Sequence, residues 1–177
     1  FSECSKLSSV SILGDISFIY SNAFLKCSSL SSIIIPESVT SIGESVFYSC
    51  TSLSSITIPE NVKLIGSKTF YRCTNLTAIT IPKKVTSIES SLFEGCNNLL
   101  SVSIIGNVVF IGNYAFRYCY VLSFTIPSNV TSILTQAFCS CTSFISITIP
   151  SSVTSISMGL FELCTKLSSI EILGNVT

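Results

Sequence analysis

Cysteine is the residue type in this chain with the widest chemistry, because thiols bind zinc, form disulfides and act as nucleophiles. Nine cysteines are present, and eight of them recur 22 or 23 residues apart: Cys4, Cys27, Cys50, Cys73, Cys96, Cys119, Cys141 and Cys164. Zinc sites use closely spaced Cys pairs, and a disulfide needs converging Cβ vectors, whereas equivalent positions of stacked repeats point in parallel. The spacing therefore predicts eight buried, reduced and metal-free side chains. The ninth, Cys139, stands at a variable position, and we expect it to be more exposed than the others.

Other catalytic chemistry lacks the residues it needs. The sequence has no His, which removes the commonest general base and zinc ligand. Its acidic residues are scattered singly, and neither G-x-S-x-G nor a G-x-x-x-x-G-K phosphate loop occurs. We therefore expect a protein that is not an enzyme, with no catalytic residue, no metal and no cofactor.

The overall composition is that of a folded, neutral domain. Of the 177 residues, 47% are hydrophobic and 10% are charged, with a formal net charge of zero. Disordered chains show the opposite balance, and nucleic-acid-binding domains carry a basic excess. The apolar run Ile33–Ile35 ends at Pro36, far short of a membrane-spanning length. We therefore expect neither nucleic acid as a partner nor a membrane span in this segment.

An internal repeat organises the whole chain, which we interpret as a single domain over residues 1–177. The repeated unit reads F-x-x-C-x-x-L-x-x-I-x-I-P-x-x-V-x-x-I-x-x-x-A. Its copies begin at Phe1, Phe24, Phe47, Phe70, Phe93, Phe116, Phe138 and Phe161. One residue is missing between Leu122 and Phe124, where we expect a local irregularity. Because Phe1 already stands inside the pattern and Thr177 cuts a unit short, we expect the chain to be a piece of a longer protein.

The repeat predicts a solenoid. In each unit L-x-x-I-x-I alternates like a half-buried strand, and the following Pro ends it because Pro cannot donate to a ladder. The remaining apolar positions lie three or four residues apart, as in turns and short helical pieces. One unit cannot bury its apolar face, but stacked parallel copies can. We predict an α/β solenoid: a right-handed coil of about eight units, with a parallel β-sheet on one face and turns with short 3₁₀ or helical segments on the other.

The pattern resembles the leucine-rich repeat and is similar to its BspA-type subclass. The resemblance is carried by Ile-Pro-Glu-Ser-Val-Thr-Ser-Ile-Gly (35–43), Ile-Pro-Lys-Lys-Val-Thr-Ser-Ile (81–88) and Ala-Phe-x-x-Cys (23–27 and 115–119). It implies the solenoid fold, a location at the cell surface or outside the cell, and the binding of host proteins or neighbouring cells. It brings no catalytic residues. The sequence departs from the pattern at Leu13-Gly14 and Ile105-Gly106, where Pro is replaced, and in the short coil at 122–124.

Three sets of residues are candidates for interaction. In leucine-rich repeats the non-core strand positions line one face, and the column carried over to this chain is Ser11, Ile34, Thr57, Thr80, Ser103, Thr125, Thr148 and Glu171. This column is either a ligand surface or merely the soluble side of a sheet. A possible aromatic patch comprises Tyr114, Arg117, Tyr118 and Tyr120, types typical of binding hot spots, unless the rings pack on nearby loops. Asn75, Asn129 and Asn175 begin N-x-T sequons, which either carry glycans or arise by accident from the Val-Thr of the repeat.

The function expected from these features is recognition or adhesion by a surface protein, with a protein or glycan ligand. Two alternatives remain open: a structural spacer within a larger surface protein, and an intracellular interaction scaffold. Solenoids normally carry polar capping units, and neither end has one. We therefore expect weak end-to-end self-association of the isolated chain.

Overall fold

The computed structural model describes residues 1–121 and 124–176, which form a solenoid of about seven turns built from parallel strands. In chain order the strands are β1 (Ser9–Ser11), β2 (Phe18–Ile19), β3 (Ser32–Ile34), β4 (Ser41–Ile42), β5 (Leu64–Ile65), β6 (Ala78–Ile81), β7 (Ser87–Ile88), β8 (Ser101–Ile104), β9 (Phe110–Ile111), β10 (Ser132–Ile133), β11 (Ser146–Ile149) and β12 (Ser169–Ile172). This confirms the predicted repeat fold.

The longer strands lie on one side, which we call the strand face, and pair as β1–β3, β6–β8 and β11–β12. All pairs are parallel, and each residue lies beside the one 23 positions later. Side chains alternate between exposed and buried, as in Ala78–Ile81, because the I-x-I positions point into the core. The two-residue strands form a second ladder, β2–β4–β5 and β7–β9–β10, where each unit turns away from the strand face.

The opposite side, which we call the turn face, carries the Phe-x-x-Cys motif. Its backbone bonds to the neighbouring coil: the N–H groups of Ser45, Phe47 and Ser49 donate to carbonyls 22 residues further on, at 2.9, 2.9 and 2.7 Å. Every unit after the first has a residue with left-handed backbone angles on each side of its Phe. The residues at the second position before the Phe are Asn22, Ser45, Lys68, Ser91, Tyr114, Gln136 and Gly159. The residues at the second position after the Phe are Glu3, Lys26, Ser49, Arg72, Gly95, Tyr118, Ser140 and Leu163.

The prediction of short 3₁₀ or helical segments on this face is wrong. The described residues contain no α-helix and no 3₁₀-helix, and consecutive turns take their place. The left-handed residues flanking each Phe break any right-handed run after a few residues. The N–H groups that a helix would use internally are bonded to the next coil instead. Among the described residues no helix is long and apolar enough to cross a membrane.

A continuous phenylalanine stack fills the core beneath the turn face. Successive rings of the Phe column lie 5.2 to 5.8 Å apart between centroids and are nearly parallel. Where the repeat is shortened, Phe124 adds a tilted ring 4.9 Å from Phe116 and 5.3 Å from Phe138. The core therefore passes through the short coil without a gap in the aromatic stack.

The sequence departures have local consequences. Leu13 and Ile105, which replace Pro, are exposed. Gly106 then lies against the preceding coil, since a Cβ there would stand 2.7 Å from the carbonyl oxygen of Val85. The local irregularity expected at the missing residue falls on Leu122 and Ser123, which lie outside the described residues. The preceding residue, Val121, is fully buried.

Candidate functional site

The cysteine column forms a hydrogen-bond ladder rather than a reactive centre. Each thiol from Cys27 onward donates to the carbonyl of the column Phe in the preceding coil, at 3.0 to 3.1 Å; an example is Cys73 with Phe47. All nine cysteines are free thiols. The described residues contain no group of three or more His, Cys, Asp or Glu that could hold a metal ion. The sequence indicated a small buried side chain here but not its donor role.

Burial keeps these thiols protonated. Desolvation raises the pKa of Cys50 to about 12 and that of Cys96 to about 12, and raises the pKa of Cys73 and Cys119 well above the ordinary value. A thiol protonated at neutral pH is neither a nucleophile nor a metal ligand. The column is therefore structural.

Two cysteines differ from expectation. Cys139 is only 2% exposed, so the prediction that it is more exposed than the others is wrong. Its small side chain lies on the turn face beside the larger Arg117 of the preceding coil, with which it interacts. Cys4 belongs to the column but is exposed, because no preceding coil covers it in this structure.

The column of strand-face candidates is exposed throughout the described residues: Ser11, Ile34, Thr57, Thr80, Ser103, Thr125, Thr148 and Glu171. Ile34 is the apolar member and is 70% exposed. Thr57 and Thr125 themselves lie outside the strands, and depressions of about 260 and 790 Å³ adjoin them. Six of the eight candidates carry hydroxyl groups, and Ile34 and Glu171 are the exceptions.

Arg117 contacts two of the three aromatic candidates, Tyr114 and Tyr118. Its guanidinium lies 5.4 Å from the ring centroid of Tyr114 and 4.6 Å from that of Tyr118. It also donates to the Tyr118 hydroxyl at 2.9 Å and lies 3.5 Å from a carboxylate oxygen of Glu94. Tyr118 and Tyr120 are 44% and 46% exposed, whereas Tyr114 is half-buried. Tyr118 is thus an exposed ring fixed by a charged neighbour.

Beside these rings lies a groove of about 570 Å³, which we call the flank groove. It is lined by Arg72, Thr74, Gly95, Asn97, Tyr118, Tyr120, Ser140 and Thr142. These residues occupy the positions two and four after the column Phe in four successive units, on either side of the buried cysteine column. Sequence reasoning found the two tyrosines but missed the rest. Comparing those two positions from unit to unit could have found them.

The glycosylation candidates Asn75, Asn129 and Asn175 are all exposed. Thr177, which completes the last sequon, lies outside the described residues. The first two threonines, Thr77 and Thr131, each donate to a carbonyl of the preceding coil, at 3.4 and 3.3 Å. Their use as glycan acceptors remains a prediction.

In this solenoid the repeated side chains form the core, and the side chains that differ between units lie on the surface. This is the architecture of a leucine-rich-repeat protein. The family model described as the BspA type leucine rich repeat region, in 6 copies, matches residues 1–123 and 109–177. The chain belongs to this family. No curated protein shows significant similarity to it.

Solved structures of bacterial proteins are similar to the chain. A leucine-rich repeat protein from Bacteroides ovatus is 29% identical, with a TM-score of 0.79 over 96% of this chain and 50% of its own. A leucine-rich repeat protein of T. pallidum is 26% identical, with a TM-score of 0.63 over 92% and 68%. A leucine rich cell surface protein from Faecalibacterium prausnitzii is 28% identical, with a TM-score of 0.50 over 97% and 61%. The chain thus spans about half the length of the Bacteroides ovatus protein.

Proposed function

We propose that the chain is a non-catalytic recognition or adhesion module of a surface protein, binding a protein or glycan of a host or neighbouring cell. The cell-surface name of the Faecalibacterium prausnitzii protein supports the proposed location. Membership of a repeat family is compatible with a binding or scaffold role.

The observation that carries the proposal is the ordered, exposed ring of Tyr118. A repeat that only spaces other domains needs core columns and soluble surfaces. Arg117 instead fixes this ring by a hydrogen bond at 2.9 Å and by contact with its face, while 44% of the residue stays exposed. Exposed aromatics held in place beside an Arg are the usual composition of interface hot spots. Fixing them before binding reduces the entropy lost on association.

A structural spacer is the second candidate, and the phenylalanine stack favours it. Stacked rings at 5.2 to 5.8 Å run from Phe1 to Phe161, as in a rod whose stability comes from contacts between neighbouring repeats. Spacing and recognition are compatible in one module, but a pure spacer would have no surface on which binding depends.

Labelled protein incubated with epithelial or bacterial cells distinguishes the two. We expect the wild-type chain to bind cells and the double variant Tyr118→Ala, Tyr120→Ala to lose binding. The matched control Thr57→Ala, Thr80→Ala removes hydroxyls from the strand face and should bind like the wild type. Loss in the control alone would assign recognition to the strand face, and absence of wild-type binding would favour the spacer.

A further inference from the structure

We propose that the flank groove binds a short acidic oligosaccharide, with pyranose rings on Tyr118 and Tyr120 and an acidic group at Arg72. This inference rests on the proposed recognition function and names its ligand class. It is carried by the chemistry and dimensions of the groove.

The groove exists because one side chain is absent. The position two residues after each column Phe bears Arg72, Gly95, Tyr118 and Ser140 in successive units. Gly95 leaves a gap between the side chains of Arg72 and Tyr118, and a Cβ there would stand 3.0 Å from Cγ of Arg72. Its φ of +76° suits glycine, whereas residues with side chains hold φ between 55° and 63° at the equivalent places, including Ser49. A side chain at this position would have to displace Arg72, and glycine leaves that space open to the groove.

The walls suit a carbohydrate. A pyranose ring presents an apolar face of C–H groups that stacks on an aromatic ring, and hydroxyls at its edge that need hydrogen-bond partners. Two tyrosines about half exposed supply the aromatic surface. Thr74, Ser140 and Thr142 supply hydroxyls. Few polar groups around an aromatic surface are typical of small-ligand sites.

Asn97 adds an acceptor. In the orientation that satisfies its neighbours, its amide nitrogen donates to the carbonyls of Gly95 at 3.0 Å and Tyr118 at 3.1 Å. The side-chain oxygen is then left to accept from a ligand hydroxyl. The same bonds tie Asn97 to its own coil and to the coil that carries Tyr118.

Arg72 gives the groove its charge preference. Its guanidinium lies 5.4 Å from the ring centroid of Tyr71 and forms no ion pair with the described residues. The nearby Glu94 is paired with Arg117. A guanidinium without a carboxylate partner favours a ligand carboxylate, which it binds through two parallel hydrogen bonds.

Size favours an oligosaccharide over a protein. The groove holds about 570 Å³, within the range of small-molecule sites. Four units at a spacing of roughly 4.8 Å give a length on the order of 14 Å, which accommodates two or three sugar rings. A stable protein interface needs roughly 800 Å² from each partner, which extends well beyond such a groove.

Saturation-transfer NMR on the intact chain tests the inference with three probes: 3′-sialyllactose, lactose and a hexaglutamate peptide. We expect transfer to the sugar protons, with tighter binding of sialyllactose than of lactose. Tyr118→Ala and Tyr120→Ala should each weaken sugar binding about tenfold, the loss expected for an aromatic contact. Arg72→Gln should reduce sialyllactose affinity to that of lactose and leave lactose unchanged.

Two further variants control for folding and position. Gly95→Asn fills the gap without removing a groove side chain and should weaken both sugars; because its Cβ would press on Arg72, a circular dichroism melt checks that the variant stays folded. Thr57→Ala, on the strand face, should change nothing. Failure of both sugars to bind, or sugar binding unaffected by the tyrosine and Gly95 variants, would overturn the inference. Peptide binding that depends on Tyr118, without sugar binding, would overturn it while leaving the proposed recognition function intact.

Discussion

Alkaline pH should destabilise this protein through its buried thiols. Five cysteines are fully buried in the middle of the column: Cys50, Cys73, Cys96, Cys119 and Cys141. Burial raises the pKa of Cys50 from 9.0 to about 12 in the folded chain, whereas an unfolded thiol titrates near its ordinary value. The native state therefore holds the proton more tightly. The stabilisation is complete below about pH 9 and is lost as the pH rises from 9 toward 12.

The magnitude follows from proton linkage. At pH 10 an unfolded thiol is mostly ionised and a buried one is not, so each buried cysteine lowers the free energy of unfolding by about 1 to 2 kcal/mol relative to pH 7. Five thiols together amount to about 7 kcal/mol, comparable with the whole stability of an ordinary domain. Urea unfolding followed by circular dichroism from pH 7 to 10 measures this loss.

A variant isolates the thiol contribution from other groups that titrate in the same range. Cys73→Ala has one thiol fewer to ionise, so its stability should fall by about 1 to 2 kcal/mol less than that of the wild type between pH 7 and 10. At pH 7 it should be less stable by about 2 kcal/mol, through lost packing and the lost S–H···O contact to Phe47. Cys4→Ala removes an exposed thiol, keeps all the buried ones, and should retain the full pH dependence. Equal pH slopes for Cys73→Ala and the wild type would refute the reasoning.

Three more predictions follow from the same structure. Native protein should react with a thiol reagent at Cys4 and at one further cysteine at most, and urea-unfolded protein at nine; rapid native reaction of many thiols would contradict the buried column. Lys68→Val puts a β-branched residue at φ 57° and should lower the free energy of unfolding, measured in urea, by about 1 kcal/mol. The control Lys63→Val lies just before β5 and should lower it little, so equal losses would argue against the left-handed turn. Sedimentation should show weak self-association through the ends, where Phe1 is 73% exposed; a strict monomer, or a dimer lost in Thr80→Glu, would count against it.

The sequence predicted the features that recur in every unit. The Phe, Cys, Leu and Ile columns are core columns because each repeat buries the same side of its chain, and spacing alone reveals that. The left-handed positions were not predictable in the same way. They are filled by residues as different as Lys68, Tyr118 and Leu163, with Gly only at Gly95 and Gly159. The inter-coil hydrogen bonds impose this conformation, and no local propensity indicates it.

The wrong prediction of an exposed Cys139 has a related cause. Sequence comparison placed it in a column with Tyr48, Glu94 and Glu162, which suggested an exposed position. Exposure at a surface column depends on the size of the neighbours in adjacent coils, and a small thiol beside Arg117 is covered. The flank groove has the opposite cause, since Gly95 is smaller than its neighbours. Both features are properties of three adjacent units and cannot be recognised from one.

Distinct chemistry in such a solenoid must arise where successive units differ. The backbone bonds between coils are repeated at nearly constant length, so they place equivalent side chains in straight columns and cannot by themselves form a site. A site needs a column whose side chains change abruptly. Arg72, Gly95 and Tyr118 provide that change over three units, and Tyr120 provides it in the neighbouring column. Tyr120 also lies in the unit with one residue fewer between Cys119 and Phe124, so the shortened sequence and the irregular surface coincide. The strand-face candidates are mostly Ser and Thr and include no aromatic ring and no Arg, which is why the flank groove is the stronger candidate for selective binding.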